Sequence, residues 1–296
     1  MTSLDPIRAR LAERRAEELI VELRIADPRE IDVEAIAMTK DALVIDGGIT
    51  GAEARLSRSP RLNIIRVNKT IRESGRRRFA IAHELGHLLL QQGNSQFALC
   101  EDKDLLPFYS NSPDELEASI FAAALLMPRK LYEPLCRAAA PSLRYVGELA
   151  ARFGVTLTAA ASRYIGFCPH RCCLVASTDN KVRYHRPTDD FGYFIAPRQQ
   201  LEPATYAADY FQGNSLPDGM REVRATAWLE DSRLDDKNMI REDSVAMPTY
   251  SSVLTLLWID QDIDRRVTGE SEDDAEEEES DGRWSWNRYS KRSQSD

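Results

Sequence analysis

The segment RFAIAHELGHLLL, residues 78–90, constrains this chain more than any other part of its sequence. Its apolar residues recur with helical spacing around two histidines, His83 and His87, that stand four positions apart. Residues four apart lie one turn from each other on the same helix face, so both imidazoles can reach a single ion. Glu84 lies on the adjacent edge, where it can take a proton from a water molecule but is poorly placed as a ligand. This spacing matches what zinc-dependent hydrolysis needs: two neutral nitrogens on the metal and a carboxylate beside it.

Two simpler explanations of this segment are weaker. The chain contains four histidines, so a chance occurrence of the H-E-x-x-H pattern is improbable. The histidines could instead be core residues bonded to the backbone, because Phe79, Gly86 and Leu90 share their stripe. Two buried imidazoles are costly, however, unless each finds a partner. We therefore predict that His83 and His87 bind a metal.

A catalytic zinc needs one more protein ligand, and the next helix supplies three acidic candidates, Asp114, Glu115 and Glu117. That helix is expected to start at Ser112 as its N-cap, with a proline in the first turn. Glu115 lies on the apolar face that packs inward, and Ser119, one turn later, can support a ligand by hydrogen bonding. Ser112 and Glu115 also have the spacing of a capping box, and Glu117 shares a face with apolar residues. The pattern alone leaves Glu115 and Glu117 open.

The hydrophobic patterning predicts an α+β chain. An amphipathic helix is expected over 5–24, with Ile7 and Leu11 among the residues of its apolar stripe. Three short runs bounded by glycine and proline predict a small antiparallel sheet. A helix over 72–92 that ends at Gly93 and a helix from Pro113 to Met127 come next, and two or three more helices fill 129–166. The three strands are expected at Ala42–Ile45, Ala52–Leu56 and Leu62–Val67.

From Cys168 onwards the pattern changes to short β-like runs, which predict a second α+β domain. The run from Cys168 to Cys173 holds three cysteines and a histidine, but its spacing is not that of a zinc finger and no second ligand pair follows. We interpret it as a strand entry with partly buried free thiols. The expected strands are Leu174–Ser177, Val182–His185, Tyr193–Ala196, Val223–Leu229 and Val253–Ile259.

The chain is thus expected to have four parts. They are a core over 1–128, a helical segment over 129–167, an α+β domain over 168–267 and a disordered acidic tail over 268–296. Within the helical segment, residues 148–164 resemble a helix-turn-helix unit. Its second helix offers essentially Arg163 for contact with nucleic acid. We therefore expect this unit to pack between helices, and we do not expect the chain to bind DNA.

Charge and composition indicate which partners and which cellular compartment to expect. The net charge is −9, of which residues 268–296 contribute −6, so the remaining body is nearly neutral and lacks the basic footprint of a nucleic-acid-binding protein. No apolar run approaches the roughly 20 residues that a membrane-spanning helix needs. The N-terminus lacks the pattern of a secretory signal, and the five cysteines form no regular framework. We expect a cytoplasmic protein without a membrane segment.

Two blocks, RRRFAIAHELGHLLL and, after a spacer, ELEASIFAAALLMP, together resemble the ImmA/IrrE-type metallopeptidases. The resemblance implies a gluzincin-like core in which His83, His87 and Glu115 hold zinc and Glu84 is the catalytic base. Its third ligand is the glutamate thirteen positions before the proline of the second block, which is Glu115 here. Ser119 departs from the pattern, because asparagine is common there. The C-terminal part resembles the GAF-like domain of longer members.

The resemblance further implies a zinc-dependent endopeptidase that cleaves a cytoplasmic protein. The expected substrate is a helix-turn-helix repressor, whose cleavage derepresses genes in a stress or mobile-element response. Zn²⁺ is the expected cofactor, and Mn²⁺ a substitute for it. No sequence feature identifies a second oxyanion donor; Tyr109 and the arginines at 76–78 are the nearest candidates.

The competing function is a non-enzymatic DNA-binding transcription regulator that uses zinc as a structural brace. A structural zinc normally has four protein ligands. Three are evident here, and Glu84 stands beside them. The count of ligands therefore favours catalysis over a structural role.

Overall fold

The computed structural model describes residues 5–91 and 112–260. These residues form a mixed α+β fold, as the patterning predicts. The helices are α1 (Pro6–Glu22), α2 (Val33–Met38), α3 (Ser74–Leu90), α4 (Pro113–Leu126), α5 (Arg129–Cys136), α6 (Leu143–Phe153), α7 (Leu157–Ile165) and α8 (Tyr206–Phe211). The strands are β1 (Ala42–Gly47), β2 (Ala54–Ser57), β3 (Asn63–Asn68), β4 (Arg171–Thr178), β5 (Lys181–Pro187), β6 (Arg221–Arg224), β7 (Met239–Met247) and β8 (Ser252–Ile259).

Helix α1 packs on α4, but the buried residues of its first turns differ from those that the apolar stripe predicts. Its buried residues are alanines and aliphatics from Ala12 to Ile20. Ile7 is 66% exposed and Leu11 is 44% exposed, so the expected burial of these two residues is wrong. At this end Arg8 reaches α4 through ion pairs. The polar contact turns the neighbouring apolar side chains of the first turns towards solvent.

The three-stranded sheet is mixed, with the order β1-β3-β2. Strands β2 and β3 form an antiparallel hairpin, whereas β1 pairs with β3 in parallel. The expectation of a purely antiparallel sheet is therefore wrong for β1. The loop over 48–53 carries the chain past β3, so that β1 and β2 lie on opposite edges of the central strand. Because β1 and β2 run in opposite directions, only one of them can be antiparallel to β3.

Helices α3 and α4 approach each other closely at Gly86. A Cβ atom at this position would lie 3.1 Å from both the Cα and the carbonyl oxygen of Ala118. A side chain at this position would push the two backbones apart by a few tenths of an ångström, so glycine favours their close approach. The close approach brings the histidine face of α3 against the first turns of α4. The expected end of α3 at Gly93 lies outside the described residues.

The helix-turn-helix-like unit consists of α6 and α7, with Gly154 in the left-handed conformation between them (φ 62°). Most of α7 is buried. Arg163, the residue expected to be available for nucleic acid, pairs instead with Glu13 at 2.8 Å. Gly75, at the start of α3, packs directly on the Val155–Thr156 backbone. This unit supports the interior of the protein, in line with the expected packing role.

The C-terminal part contains a five-stranded antiparallel sheet with the order β5-β4-β8-β7-β6. Its two faces belong to different cores. Leu174 and Leu254 lie in the cluster that also holds the N-terminal helices, whereas Val175 and Leu257 face a second cluster around Trp228. The hydrophobic core therefore continues across the boundary expected at residue 168.

Several C-terminal expectations need correction. Residues Tyr193–Ala196 form no strand, and the run expected over Val223–Leu229 is a strand only to Arg224, after which it turns into a 3₁₀ helix. Strand β7 was not expected at all. Cys172 and Cys173 are buried within β4, as the expectation of free thiols at a strand entry requires. Tyr109 and the expected tail over 268–296 lie outside the described residues.

Within residues 5–91 and 112–260, no helix is both long enough and apolar enough to span a membrane.

Candidate metal centre

Helix α3 places two imidazoles side by side in the protein interior. His83 and His87 are buried, and their Nε2 atoms lie 3.0 Å apart. The two rings meet edge to face, with centroids 4.7 Å apart. This is the arrangement expected for histidines one helical turn apart that point at one position. The prediction from spacing is thus matched by the geometry of α3.

Glu115 places both of its carboxylate oxygens against these imidazoles. Its Oε2 lies 3.0 Å from His83 Nε2, and its Oε1 lies 3.3 Å from His87 Nε2. Among the described residues, these three form the one group of at least three His, Cys, Asp or Glu side chains close enough to share an ion. The structure therefore brings together the three residues that the sequence singles out as ligands.

The two other acidic candidates on α4 point away from these imidazoles. Arg8 on α1 binds both, with its Nη2 2.6 Å from Asp114 Oδ1 and 2.7 Å from Glu117 Oε2. Its Nε also donates to Glu117, at 3.0 Å. This ion pair engages both flanking carboxylates and leaves Glu115 as the acid of α4 that faces the imidazoles. Of the two candidates that the sequence leaves open, Glu115 lies against the imidazoles and Glu117 lies against Arg8.

Each imidazole is oriented through its other nitrogen. The Ser119 hydroxyl lies 3.2 Å from Nδ1 of His83, which is the supporting role expected for it. The Nδ1–H of His87 donates to Gln91 Oε1 at 2.7 Å. A proton on Nδ1 leaves Nε2 with its lone pair directed at the common point. Both rings are thus held with the nitrogen that a metal needs facing inward.

Gln91 is a site residue that the sequence reasoning missed. Besides accepting from His87, its Nε2 donates to the backbone oxygen of Asp114 at 2.9 Å. It therefore links the last turn of α3 to the first turn of α4, one residue from Glu115. A usable signal was present, because an amide stands four positions after His87 and hence one turn further along the same face.

Glu84 is 3% exposed and lies next to the sheet. Its Oε2 accepts a hydrogen bond from the backbone N–H of Leu56 at 2.8 Å. Leu56 belongs to β2, which pairs with β3 alone within the part of the chain that is described. The carboxylate is therefore fixed between the histidine helix and the outer edge of the sheet, where an extended peptide can approach.

The ionisation of the centre follows from its contacts. Burial favours the neutral imidazole of His87, but the hydrogen bond and charge of Glu115, with the charge of Glu84, outweigh burial and raise the pKa of His87. Burial likewise opposes the charge of Glu115. The two histidines overcome this and hold the pKa of Glu115 well below its usual range. Glu115 is consequently a carboxylate at neutral pH, as a metal ligand must be.

The donor set fits zinc. Ligand atoms about 2.0–2.2 Å from a tetrahedral ion lie about 3.3 Å from one another. The two imidazole Nε2 atoms lie 3.0 Å apart, and each has a Glu115 carboxylate oxygen close by, Oε2 at 3.0 Å from His83 and Oε1 at 3.3 Å from His87. Two imidazoles and one carboxylate also form a typical ligand set for a catalytic zinc. The residues present are therefore compatible with the metal that the motif implies.

The arginines at 76–78, named from the sequence as the nearest oxyanion-donor candidates, are engaged in other contacts. Arg76 pairs with Glu53, Arg77 pairs with Glu34, and Arg78 donates to a backbone oxygen at 2.8 Å. Arg58, which the sequence reasoning did not consider, does lie beside the centre. Its Nη2 donates to the backbone oxygen of His87 at 2.7 Å.

Comparisons with known proteins agree with this geometry. Residues 46–164 match the model of the IrrE N-terminal-like domain, a peptidase family. The radiation response metalloprotease IrrE of Deinococcus deserti is 35% identical over 112 residues, which cover 34% of this chain and 35% of that protein. The chain thus aligns with about a third of the length of this curated relative.

A solved structure, described as a Mycobacterium tuberculosis transcriptional regulator, superposes with a TM-score of 0.56. The superposition covers 86% of this chain and 77% of the other, at 16% sequence identity. At that identity the likeness concerns the fold alone. The family match covers both histidines, Glu84 and Glu115, and the fold likeness reaches beyond it. Residues 46–164 thus match the IrrE N-terminal-like domain of the ImmA/IrrE-type family.

Proposed function

We propose that this protein is a zinc-dependent endopeptidase in which His83, His87 and Glu115 hold the metal and Glu84 is the general base. The observation that carries the proposal is the convergence of the His83, His87 and Glu115 side chains, with Glu84 buried next to them. Three protein ligands are the number found in catalytic zinc sites, whereas structural sites use four. Manganese is expected to substitute for zinc at this mixed nitrogen and oxygen site.

The metal, when bound, supplies Lewis-acid chemistry: it acidifies a water molecule and polarises the carbonyl oxygen of the scissile peptide. Glu84 accepts the proton of the attacking water and then delivers it to the amine that leaves. The Leu56 N–H holds this carboxylate in place. Because it is hydrogen-bonded and buried, Glu84 needs little reorganisation to act.

The outer edge of β2 is the proposed site for an extended substrate. The N–H of Leu56 points away from β3 and towards Glu84, and the N–H and C=O of one strand residue point to the same side. The Leu56 carbonyl is thus directed along the same open edge. A peptide that adds to this edge as a further strand passes directly beside the metal ligands.

The substrate class is proposed from family membership. The family resemblance suggests a cytoplasmic helix-turn-helix repressor whose cleavage derepresses genes. The relative in Deinococcus is named for a radiation response, which supports a role in stress. Zinc at this centre, a cytoplasmic location and a GAF-like role for the C-terminal part all belong to this proposal.

A DNA-binding regulator with a structural zinc is the second candidate. The solved structure with a similar fold is described as a transcriptional regulator, which favours this alternative. The burial of α7 and the pairing of Arg163 with Glu13 speak against it, since a recognition helix must present its side chains to the major groove. A salt-dependent shift of duplex DNA by the purified protein would revive it.

The test is Glu84→Gln, with zinc content and proteolysis measured on the same sample. Helix-turn-helix repressors encoded near the gene serve as substrates, and products are identified by mass spectrometry. We expect full zinc content and a loss of cleavage of at least about 100-fold, the size typical for removal of a general base. Glu148→Gln, on the exposed side of α6, is the matched control. Wild-type activity in Glu84→Gln would reject Glu84 as the base.

A further inference from the structure

Two arginines face each other directly on the outer side of the three-stranded sheet. Arg55 on β2 is in register with Arg66 on β3. Like charges in directly opposed positions destabilise a sheet unless an anion lies between them. The Nε of Arg55 is buried and has no hydrogen-bond partner. This pair therefore has the charge and the spare donors to bind carboxylates.

The pair belongs to a longer basic surface, which we call the arginine strip: Arg55, Arg58, Arg61 and Arg66. In the described ranges none of the four forms an ion pair; Arg58 donates to the backbone oxygen of His87. The contrast with Arg76 and Arg77 is clear, since each of these pairs with a carboxylate. The strip thus presents cationic groups that the described fold leaves without counter-charges.

The strip runs alongside the metal centre. Leu56, between the first two arginines, donates its N–H to Glu84, and Arg58 touches the backbone of His87. Arg55 and Arg66 lie on the face of the sheet opposite to its buried side, whereas Arg58 reaches the backbone of α3. An acidic segment that contacts both Arg58 and the Arg55–Arg66 pair therefore crosses the outer edge of β2, which the proposed function assigns to the substrate, and it competes with the substrate for that edge.

The chain itself carries a segment of matching charge. Residues 268–282, TGESEDDAEEEESDG, contain nine acidic residues and no basic residue. We propose that this acidic segment docks on the arginine strip of its own chain and competes with the peptide substrate. Attachment to the same chain gives it an effective concentration of the order of millimolar, so weak contacts suffice for occupancy. An anionic partner free in solution would have to displace it.

The geometry allows the segment to return to the strip. Strand β8 begins next to Tyr250, whose hydroxyl lies 3.3 Å from Arg76, and Arg76 pairs with Glu53 just before β2. The eight residues of β8 carry the chain about 26 Å away from this contact. The eight steps from Asp260 to Thr268 can span up to about 27 Å, which is enough to bring the acidic run back.

The first test measures docking without using catalysis. The protein is a full-length chain in which the nine acidic residues at 270–281 are changed to Asn or Gln. Its binding of a fluorescent peptide with the native sequence 268–282 is measured by fluorescence anisotropy. We expect affinity to fall steeply with salt, and to fall at least tenfold further in the variant Arg55→Gln/Arg61→Gln/Arg66→Gln. The control Arg14→Gln/Arg137→Gln/Arg144→Gln removes three exposed arginines elsewhere and should bind as before. Equal binding by the strip variant and the control would overturn the proposal.

The second test measures competition and rests on the proposed endopeptidase function. In low salt, the chain with the neutralised acidic segment should cleave an uncharged peptide several-fold faster than the native chain. Excess 268–282 peptide should restore the native rate. An unchanged rate together with no peptide binding would refute docking. Zinc-loaded protein that cleaves nothing, while still binding the peptide at the strip, would reject the peptidase and leave docking standing.

The mass of the protein in solution tests whether the arginine strip is occupied by the acidic segment of the same chain or of a second chain. Docking within one chain predicts a monomer in sedimentation at all concentrations, with the added peptide bound only when the native acidic residues are neutralised. If native protein binds the peptide as tightly as the neutralised protein, the strip is not occupied by its own chain and the proposal fails. Concentration-dependent dimers that disappear on neutralisation would likewise show docking between chains and overturn the intramolecular form.

Discussion

Two glutamates, the partly buried Glu115 on α4 and the fully buried Glu242 on β7, show how differently the same side chain is used in the two halves of this molecule. Glu115 faces two imidazole nitrogens, which are themselves potential metal ligands. Glu242 is 0% exposed and is surrounded by hydrogen-bond donors. These donors are Trp228 Nε1 and Ser244 Oγ, both at 2.8 Å, and the backbone N–H groups of Tyr206 and Ala207 at 3.2 and 2.7 Å.

The difference lies in what the surroundings can offer. Around Glu115 the neighbouring groups are potential ligands, and they converge on a point that an ion can occupy. Around Glu242 the neighbours already satisfy the carboxylate, and two of them are the first N–H groups of α8. The first glutamate is poised to bind something, whereas the second anchors a helix to a strand. Burial of a charge alone therefore does not identify a site.

The pKa values of the two glutamates shift in opposite directions. The histidines outweigh burial and hold the pKa of Glu115 well below its usual range. Burial raises the pKa of Glu242 despite the hydrogen bonds from Trp228, Ser244 and the backbone. Asp243, the next residue of β7, shows the same upward shift from burial, opposed by the Leu143 N–H at 2.7 Å. The contacts of Glu115 thus stabilise its charged form, whereas burial destabilises the charged forms of the two acids of β7.

The largest effect should come from breaking the ligand set. Glu115→Ala is expected to lower zinc affinity by more than about 100-fold, beyond the 10- to 100-fold loss seen when only a supporting residue is removed. The measurement is zinc binding in competition with a chromophoric chelator. Glu117→Ala is the control, because it lies two residues away on the same helix and binds Arg8 instead. Equal losses in both variants would mean that α4 packing, not ligation, holds the metal.

A smaller loss should follow from removing the link between the two ligand helices. Gln91→Ala deletes the acceptor for His87 Nδ1–H and the donor to Asp114 O. Zinc affinity should fall about 10- to 100-fold, as expected for a group that orients a ligand. The measurement is the same chelator competition, with the exposed Gln212→Ala as control.

Gln91→Glu separates the two bonds of this link. The carboxylate keeps an acceptor for the imidazole but loses the donor to α4. Affinity close to that of the wild type would show that orienting His87 is the main role of Gln91. Affinity as low as in Gln91→Ala would show that tethering α4 matters more, and no loss in either variant would contradict the assigned role.

Spacing on one helix made half of the centre predictable. His83, Glu84 and His87 follow from the 3.6-residue turn, because local geometry alone fixes their relative positions. Glu115 does not, since its direction depends on how α4 is rotated against α3. Ser112 does begin α4 as its N-cap, yet its side chain makes no capping bond to the helix, and Glu115 turns to the imidazoles. Contacts between distant residues fix that rotation: the packing at Gly86, the bond from Gln91 to Asp114 and the Arg8 ion pairs. The sequence pattern alone does not reveal them, and Glu115 was preferred because of the family resemblance.

Prediction from the sequence was wrong where residues distant in the chain stabilise a structure that the local pattern does not favour. Strand β7 contains the polar run Arg241-Glu-Asp-Ser244, which is typical of a loop, yet its two acids are buried. Donors from α6, α8 and Trp228, all distant in the sequence, make the strand possible. The mixed order of the first sheet was missed for a related reason. The alternation of apolar and polar residues identifies a strand, but it does not show on which edge of the strand its neighbour will pair.

The smallest expected effect concerns Glu242, the buried glutamate of β7. Glu242→Gln replaces one accepting oxygen with an amide donor that faces other donors. We expect the free energy of unfolding at pH 7 to fall by about 1–3 kcal/mol, with no change in zinc affinity. Urea denaturation measures the first and chelator competition the second. Glu222→Gln on the exposed edge strand β6 is the control. A loss of zinc affinity in Glu242→Gln would show that β7 and the metal centre are coupled.

The pH dependence of this loss tests the direction of the pKa shift. A carboxyl whose pKa is raised by folding binds its proton more tightly in the folded state, so its contribution to stability is complete below its ordinary pKa and is lost as pH rises. The difference in unfolding free energy between wild type and Glu242→Gln should therefore grow as pH falls from 7 towards about 4.3, the ordinary glutamate value. Asp243 is present in both proteins and largely cancels. A difference that shrinks on acidification would mean that the four donors outweigh burial, and Glu242 would then resemble Glu115 instead of contrasting with it.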